Sequence, residues 1–335
     1  MPAPDQLLDL GLEPVRENVP LLAMIRKILT LVVIAILVVP VISATATETD
    51  QFTGRLQSIS DSTDILNAKV NETLTEIVSN WDAGEDRMAV VNSIYGKIGG
   101  RSIVDKLERW VLDNPNVDKH DTTRPSSIYG GLPFWSTRLI FLFEFGRTIR
   151  VNDQLLGTDK LSHFISQGRK FYKRYTRHGS EQKAVKRAVF AERGIFGSLT
   201  TGSFSNADLV SNYEGYRFYR SLFENDIVAD KPAILRWTGD GWVIQREFDW
   251  SDHVNEYWDE ALNINHYDYF LRKRMLNRLR KFCPQYINAP SLYAIANEDD
   301  LALRYSTIGL RDTSAFRLSA ICFDSSTPAN RKNSN

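Results

Sequence analysis

The chain is 335 residues long, 43% hydrophobic, and carries 41 basic and 41 acidic side chains, for a net charge of zero. That size and composition describe an ordinary folded protein with a sizeable core, in one large or two small domains. The balanced charge excludes bulk nucleic-acid binding, which needs a basic footprint.

Residues 1–46 stand apart from the expected fold. From Met24 the chain reads Met-Ile-Arg-Lys, then an apolar run from Ile28 to Val39, then Pro40 and a small-residue stretch through Ala44 and Ala46. A positive start, a short apolar run and an Ala-x-Ala site describe a cleaved export signal over 24–46. Residues 1–23 are net acidic, which is wrong for such a start, so they read as a misplaced start ahead of Met24. The expected location is periplasmic or secreted; the alternative is an uncleaved N-terminal membrane anchor. No cysteine follows the run closely enough to suggest a lipoprotein. The two cysteines, Cys283 and Cys322, are expected to pair in an oxidising compartment and close a loop of about 40 residues. The alternative is two buried thiols.

Three helices are expected between residues 50 and 112. Ile65, Leu66, Val70, Leu74, Ile77, Val78 and Trp81 keep helical spacing. Met88, Val91, Ile94, Tyr95 and Ile98 repeat it before Gly99-Gly100, and Ile103, Val104, Leu107, Trp110 and Val111 repeat it before Pro115. Residues 114–133 are loop, and 134–145 form an apolar run too short to span a membrane. Thr148 to Leu156 reads as a hairpin turning at Asn152-Asp153.

Gly157 opens the stretch Gly-Thr-Asp-Lys-Leu-Ser-His-Phe. A helix is expected from about Asp159 to His178. Leu161, Phe164, Ile165, Gly168, Tyr172 and Tyr175 form its core stripe, and Asp159, His163, Gln167, Lys170 and Arg174 lie opposite. That opposite side is either a solvated face, with Asp159 at the positive helix end, or half of a site. A further helix follows Gly179. Residues 169–193 are rich in Lys and Arg, suited to anionic headgroups or a phosphorylated substrate, or simply solvated. The Gly- and Ser-rich loop 194–202 leads to Ser203 and is suited to shaping a pocket wall or to binding an anion at the next helix start. It is no P-loop, no Gly-x-Ser-x-Gly surrounds Ser198 or Ser203, and no His-Glu-x-x-His is present.

Ser205-x-x-Asp208 is a capping box variant at the start of another helix. Asp208, Asn212, Gly215 and Tyr219 then share one stripe between apolar flanks, so the stripe is expected to be buried with its polar groups partnered. Gly215 costs the helix up to about 1 kcal/mol relative to Ala and is expected to admit a neighbouring backbone.

Asp159-Lys160-x-x-His163-Phe164, followed by Asp208-x-x-x-Asn212-x-x-Gly215, resembles the VanZ-like proteins and related small bacterial envelope proteins. Glu192 matches an acidic residue that those proteins carry between the two motifs. The resemblance covers about a fifth of the chain, residues 157–219. It implies a site and an envelope setting more than a reaction. One departure is that VanZ-like proteins are membrane proteins, whereas these helices carry too many charges to span a bilayer.

Downstream, Ala233 to Trp250 reads as a second hairpin, with a helix expected to start at Ser251. Trp258-Asp259-Glu260 with Asn263 is either the lining of a polar-ligand cleft or a structural Trp on a capped helix. Leu271 to Lys281 is a basic amphipathic surface helix, and 323–335 a disordered tail. The expected architecture is mainly α: one compact helical domain over about 50–322, with two small β-hairpins.

Two classes of function fit. One is an envelope hydrolase or transferase on a cell-wall or lipid-linked substrate. His163 would be its acid–base group, oriented by Asp159, Asp208 or Glu192, with Lys160, Asn212 and Ser203 as binding groups. The other is a non-catalytic envelope protein in which the same residues form a buried hydrogen-bond network. Two carboxylates and one His leave a metal shell incomplete, so no metal or other cofactor is assigned. The four residues Asp159, His163, Asp208 and Asn212 are expected to converge between their two helices, because each helix presents its polar pair one turn apart.

Overall fold

The structure, a computed structural model, describes residues 49–100, 104–133, 146–191 and 202–323. The misplaced start 1–23, the export signal 24–46, the apolar run 134–145, Glu192 and the tail beyond 323 lie outside the described residues.

Helix α1 (Thr63–Ser79) buries Leu66, Val70, Leu74 and Ile77, the stripe expected from spacing. It packs on α2 (Arg87–Ile98), which starts where the Asp86 carboxylate accepts the Ala89 N–H. Helix α3 (Lys106–Asp113) buries Leu107 and Val111, and also Glu108. Strands β1 (Thr148–Val151) and β2 (Gln154–Gly157) form the first hairpin, with Ile149 opposite Leu156. Asn152 and Asp153 both take positive φ, 49° and 60°. A two-residue hairpin turn requires that pair of left-handed residues.

The chain then runs through α4 (Asp159–Ser162), a π-turn (His163–Gln167) and α5 (Gly168–His178) without a break. Gly179, at φ 60°, ends this helix with its N–H on the Tyr175 carbonyl. Helix α6 (Glu181–Ala191) buries Ala184, Val185 and Val189. Strand β3 (Ser203–Phe204) leads into α7 (Asn206–Ser221), on which α5 and the π-turn pack.

The second expected hairpin is β4 (Leu235–Trp237) with β5 (Trp242–Ile244), closed by a turn in which the Thr238 N–H donates to the Gly241 carbonyl. A third, unexpected pair joins β3 to β6 (His266–Tyr267). With two residues per strand it carries no alternation to detect. The helix expected from Ser251 is instead a single 3-10 turn, Trp250–Asp252, capped by Asp249. Helices α8 (Tyr269–Leu279), α9 (Cys283–Asn288), α10 (Glu298–Arg304) and α11 (Leu318–Ile321) complete the fold. The class is mainly α with small antiparallel two-stranded pairs.

The core forms two apolar clusters. The larger gathers α1–α7 around Phe164, Phe218 and Trp250. The smaller joins Phe52 and Tyr129 to α8 and α11, and the Cys283–Cys322 disulfide packs against it. That bridge, with Cα atoms 5.4 Å apart, ties the C-terminal segment to the end of the basic helix as expected. Among the described residues, no helix is long and apolar enough to cross a membrane.

Candidate functional site

The site starts from a close crossing of two helices. A Cβ built on Gly215 would overlap the Phe164 carbonyl oxygen, and one built on Gly168 would overlap the Gly215 backbone. The two backbones therefore touch, as expected of Gly215. The Phe164 ring lies 5.3 Å from Phe218 and 4.7 Å from Trp250. The Tyr219 hydroxyl donates to the Ile165 carbonyl at 3.1 Å. Ile165 lies in the π-turn, where the regular ladder is interrupted and side chains satisfy backbone groups.

The solvated-face alternative for Asp159 fails. Asp159 is 6% exposed and Lys160 1%. In an unbroken α-helix Gly168 would point about 180° away from Asp159. The π-turn absorbs one extra residue, which turns the helix after it back by about 100°. Both Asp159 and Gly168 then meet α7. Residue types in the sequence do not announce that turn.

Lys160 organises the buried cluster. Its Nζ donates to Asp159 Oδ2 at 2.8 Å and Glu260 Oε1 at 2.7 Å, and forms an ion pair with Asp208 Oδ1 at 2.6 Å. Burial alone would lower its pKa, but the three carboxylates outweigh burial and hold it well above the ordinary lysine value. Burial likewise pushes Asp208 up, yet His163 and Lys160 together hold it below the ordinary aspartate value. Glu260 is pushed up by burial beyond what Lys160 restores, with Asp208 and Asp159 adding repulsion. Ser205 links the parts: its hydroxyl accepts the Asp208 N–H at 3.1 Å and donates to Glu260 Oε1 at 3.0 Å.

His163 sits at the edge of this cluster. Its side chain is 22% exposed. Nδ1 lies 3.0 Å from Asn212 Oδ1, and Nε2 lies 3.4 Å from Asp208 Oδ2. An amide oxygen only accepts, so the Asn212 contact makes Nδ1 the protonated nitrogen. In the neutral ring Nε2 is then the basic atom.

A second carboxyl layer lies beneath. Ser162 donates to Glu108 Oε2, Thr158 donates to Glu108 Oε1 at 3.3 Å, and Ser166 donates to Asp105 at 2.6 Å. Burial, with repulsion from Asp159, raises Glu108 to about 7. Burial raises Asp105 to about 7 as well, against the pull of Ser166. A separate network around the buried Glu214 joins it to Tyr305 at 2.8 Å, the partly buried Arg217 at 2.9 Å and His253 at 3.1 Å.

Asp159, His163, Asp208 and Asn212 thus converge, as their spacing implies, and Lys160 joins them. Ser203 pairs in β3 opposite Tyr267, and Ser205 reaches the cluster through Glu260. Glu192 lies outside the described residues. Glu260 is marked in the sequence only as possible lining of a separate polar cleft, and Glu108 and Asp105 are not marked at all. Glu260 follows a buried Trp258, so the 258–260 segment is both structural and part of the site. The basic stretch is partly built into the fold: Arg169 donates to Asn92 and lies over the Tyr95 ring at 4.1 Å.

One donor atom from each of Asp159, His163 and Asp208 lies within 4.8 Å of the other two. Lys160, however, already pairs with both aspartates, and its charge repels any cation seeking the same oxygens.

No protein-family model matches this chain, and neither a curated protein nor a solved structure does.

Proposed function

We propose that the protein is an exported cell-envelope enzyme, a hydrolase or transferase acting on a cell-wall or lipid-linked substrate, with His163 as its acid–base group. The observation that carries this is the partly exposed imidazole held between Asn212 at Nδ1 and an ionised Asp208 near Nε2. Nε2 takes the proton of an attacking water or substrate hydroxyl. Asp208 stabilises the imidazolium that forms, and Asn212 fixes the tautomer and ring orientation. Lys160 keeps Asp208 ionised, and Asp159 and Glu260 hold Lys160 in place. The envelope setting draws on the export-signal pattern, the disulfide and the resemblance to VanZ-like proteins. In a deletion strain complemented with His163→Gln, wall and lipid composition should stay as in the deletion, with the variant folded and abundant. Restoration by His163→Gln would rule His163 out as the reacting group.

The second reading is a non-catalytic envelope protein. It is favoured by Lys160 itself, whose three ion pairs join α4, α7 and the 258–260 segment with no chemistry required. It expects His163→Gln to complement fully and Asn212→Ala to lower stability.

A further inference from the structure

We propose that the outward face of α8 is a docking surface for an anionic lipid bilayer. The helix buries Leu271, Met275 and Leu279 in the smaller core cluster. Tyr269, Phe270, Lys273 and Asn277 fall on the opposite side by helical spacing, and all four are exposed. Tyr269 is 88% exposed and Phe270 53%, with ring centroids 5.7 Å apart. Large aromatic rings this far out of a folded surface mark an interaction site.

Charge identifies the partner. The whole chain is neutral, yet residues 269–297 hold Arg272, Lys273, Arg274, Arg278, Arg280 and Lys281 and no acidic residue. Arg272, Lys273 and Lys281 are exposed. Some of the positive charge is spent internally: Arg280 donates to Asn277, and Arg272 lies over the Phe316 ring. Basic side chains beside protruding aromatics match an anionic headgroup layer. The cations meet lipid phosphates there, and the rings sit at headgroup depth with the Tyr hydroxyl still wet. This surface is separate from His163 and stands whether or not His163 is catalytic.

Sedimentation of the full chain with vesicles tests it, comparing phosphatidylcholine alone with a mixture containing phosphatidylglycerol. Wild type should bind the anionic vesicles about tenfold more than the neutral ones. Lys273→Glu with Lys281→Glu should remove that preference, and Tyr269→Ser should weaken binding several-fold. All three side chains are exposed, so melting temperatures should match wild type. Should the Glu pair alter melting, Lys273→Gln with Lys281→Gln has the same readout. The apolar run 28–39 is common to every variant and cancels from the comparison. Equal binding to both vesicle types, or unchanged binding by the variants, would overturn the idea. So would release by inorganic phosphate or by duplex DNA beyond a chloride control of matched ionic strength, since either would show a simple polyanion site.

Discussion

The ammonium of Lys160 and the carboxylate of Glu260, one hundred residues apart in sequence, meet at 2.7 Å with neither side chain more than 6% exposed. Lys160→Met would leave Asp159, Asp208 and Glu260 facing one another without their cation. Uncompensated buried charge of this kind costs about 3–5 kcal/mol. Denaturant unfolding should show a loss of that size. Glu260→Gln should cost less, because the amide oxygen still accepts from Lys160 and Ser205. Equal losses for the two variants would mean that the charge of Glu260, and not its shape, holds the cluster.

Glu108 supplies a pH test. Its pKa in the fold is raised from 4.5 to about 7. Between those values the unfolded chain binds fewer protons than the folded one, so stability falls as pH rises. The contribution of Glu108 is thus fully present below pH 4.5 and is lost by about pH 7. Asp208 and Glu214 run the opposite way: their values are lowered, so their contributions are present above the ordinary carboxyl range and lost on acidification. Glu108→Gln stays neutral throughout. Thermal melts should show wild type losing ground to this variant from pH 4.5 to 7, and level above that. A pH-independent difference would remove Glu108 as a titrating group.

Two glycines should respond to alanine with opposite signs. Gly215→Ala forces α7 away from the Phe164 backbone and should destabilise by about 1–3 kcal/mol. Gly96 lies within α2, and a Cβ there would meet nothing within 4 Å. Gly96→Ala should stabilise by up to about 1 kcal/mol through helix propensity alone. Chemical denaturation of the pair reads both, and a neutral Gly215→Ala would contradict the close crossing.

The disulfide should be seen directly as one Cys283–Cys322 crosslink in non-reduced peptides. Cys322→Ser should lower stability by about 2–4 kcal/mol, as expected for a closed loop of this length. Reductant should lower wild type to the level of the variant and leave the variant itself unchanged.

Local chemistry made half of this protein legible. The helix ending at Gly179, the Ser205 cap, the turn at Asn152-Asp153 and the contact at Gly215 each depend on a few neighbouring residues whose types allow little else. The disulfide followed because only two cysteines exist. Glu260 and Glu108 were hidden for the opposite reason. They reach the motif helix across 100 and 54 residues; the residues around Glu260 suggest a polar cleft but not its distant partner, and those around Glu108 suggest nothing. The pairing of β3 with β6 was hidden in the same way, each strand being too short to show a period.

The π-turn also restricts how this chain can change over generations. Surface connections drift in length cheaply, since each doubling of a flexible loop costs only about 0.6 kcal/mol. An insertion or deletion at the exposed turn 238–241 falls in that class. Between His163 and Gly168 the same event would rotate everything downstream by about 100°. Gly168 would leave Gly215, and a bulkier side chain would be driven into α7. The stretch from His163 to Gly168 therefore inherits a fixed number of residues, and descendants that keep the site must keep that count.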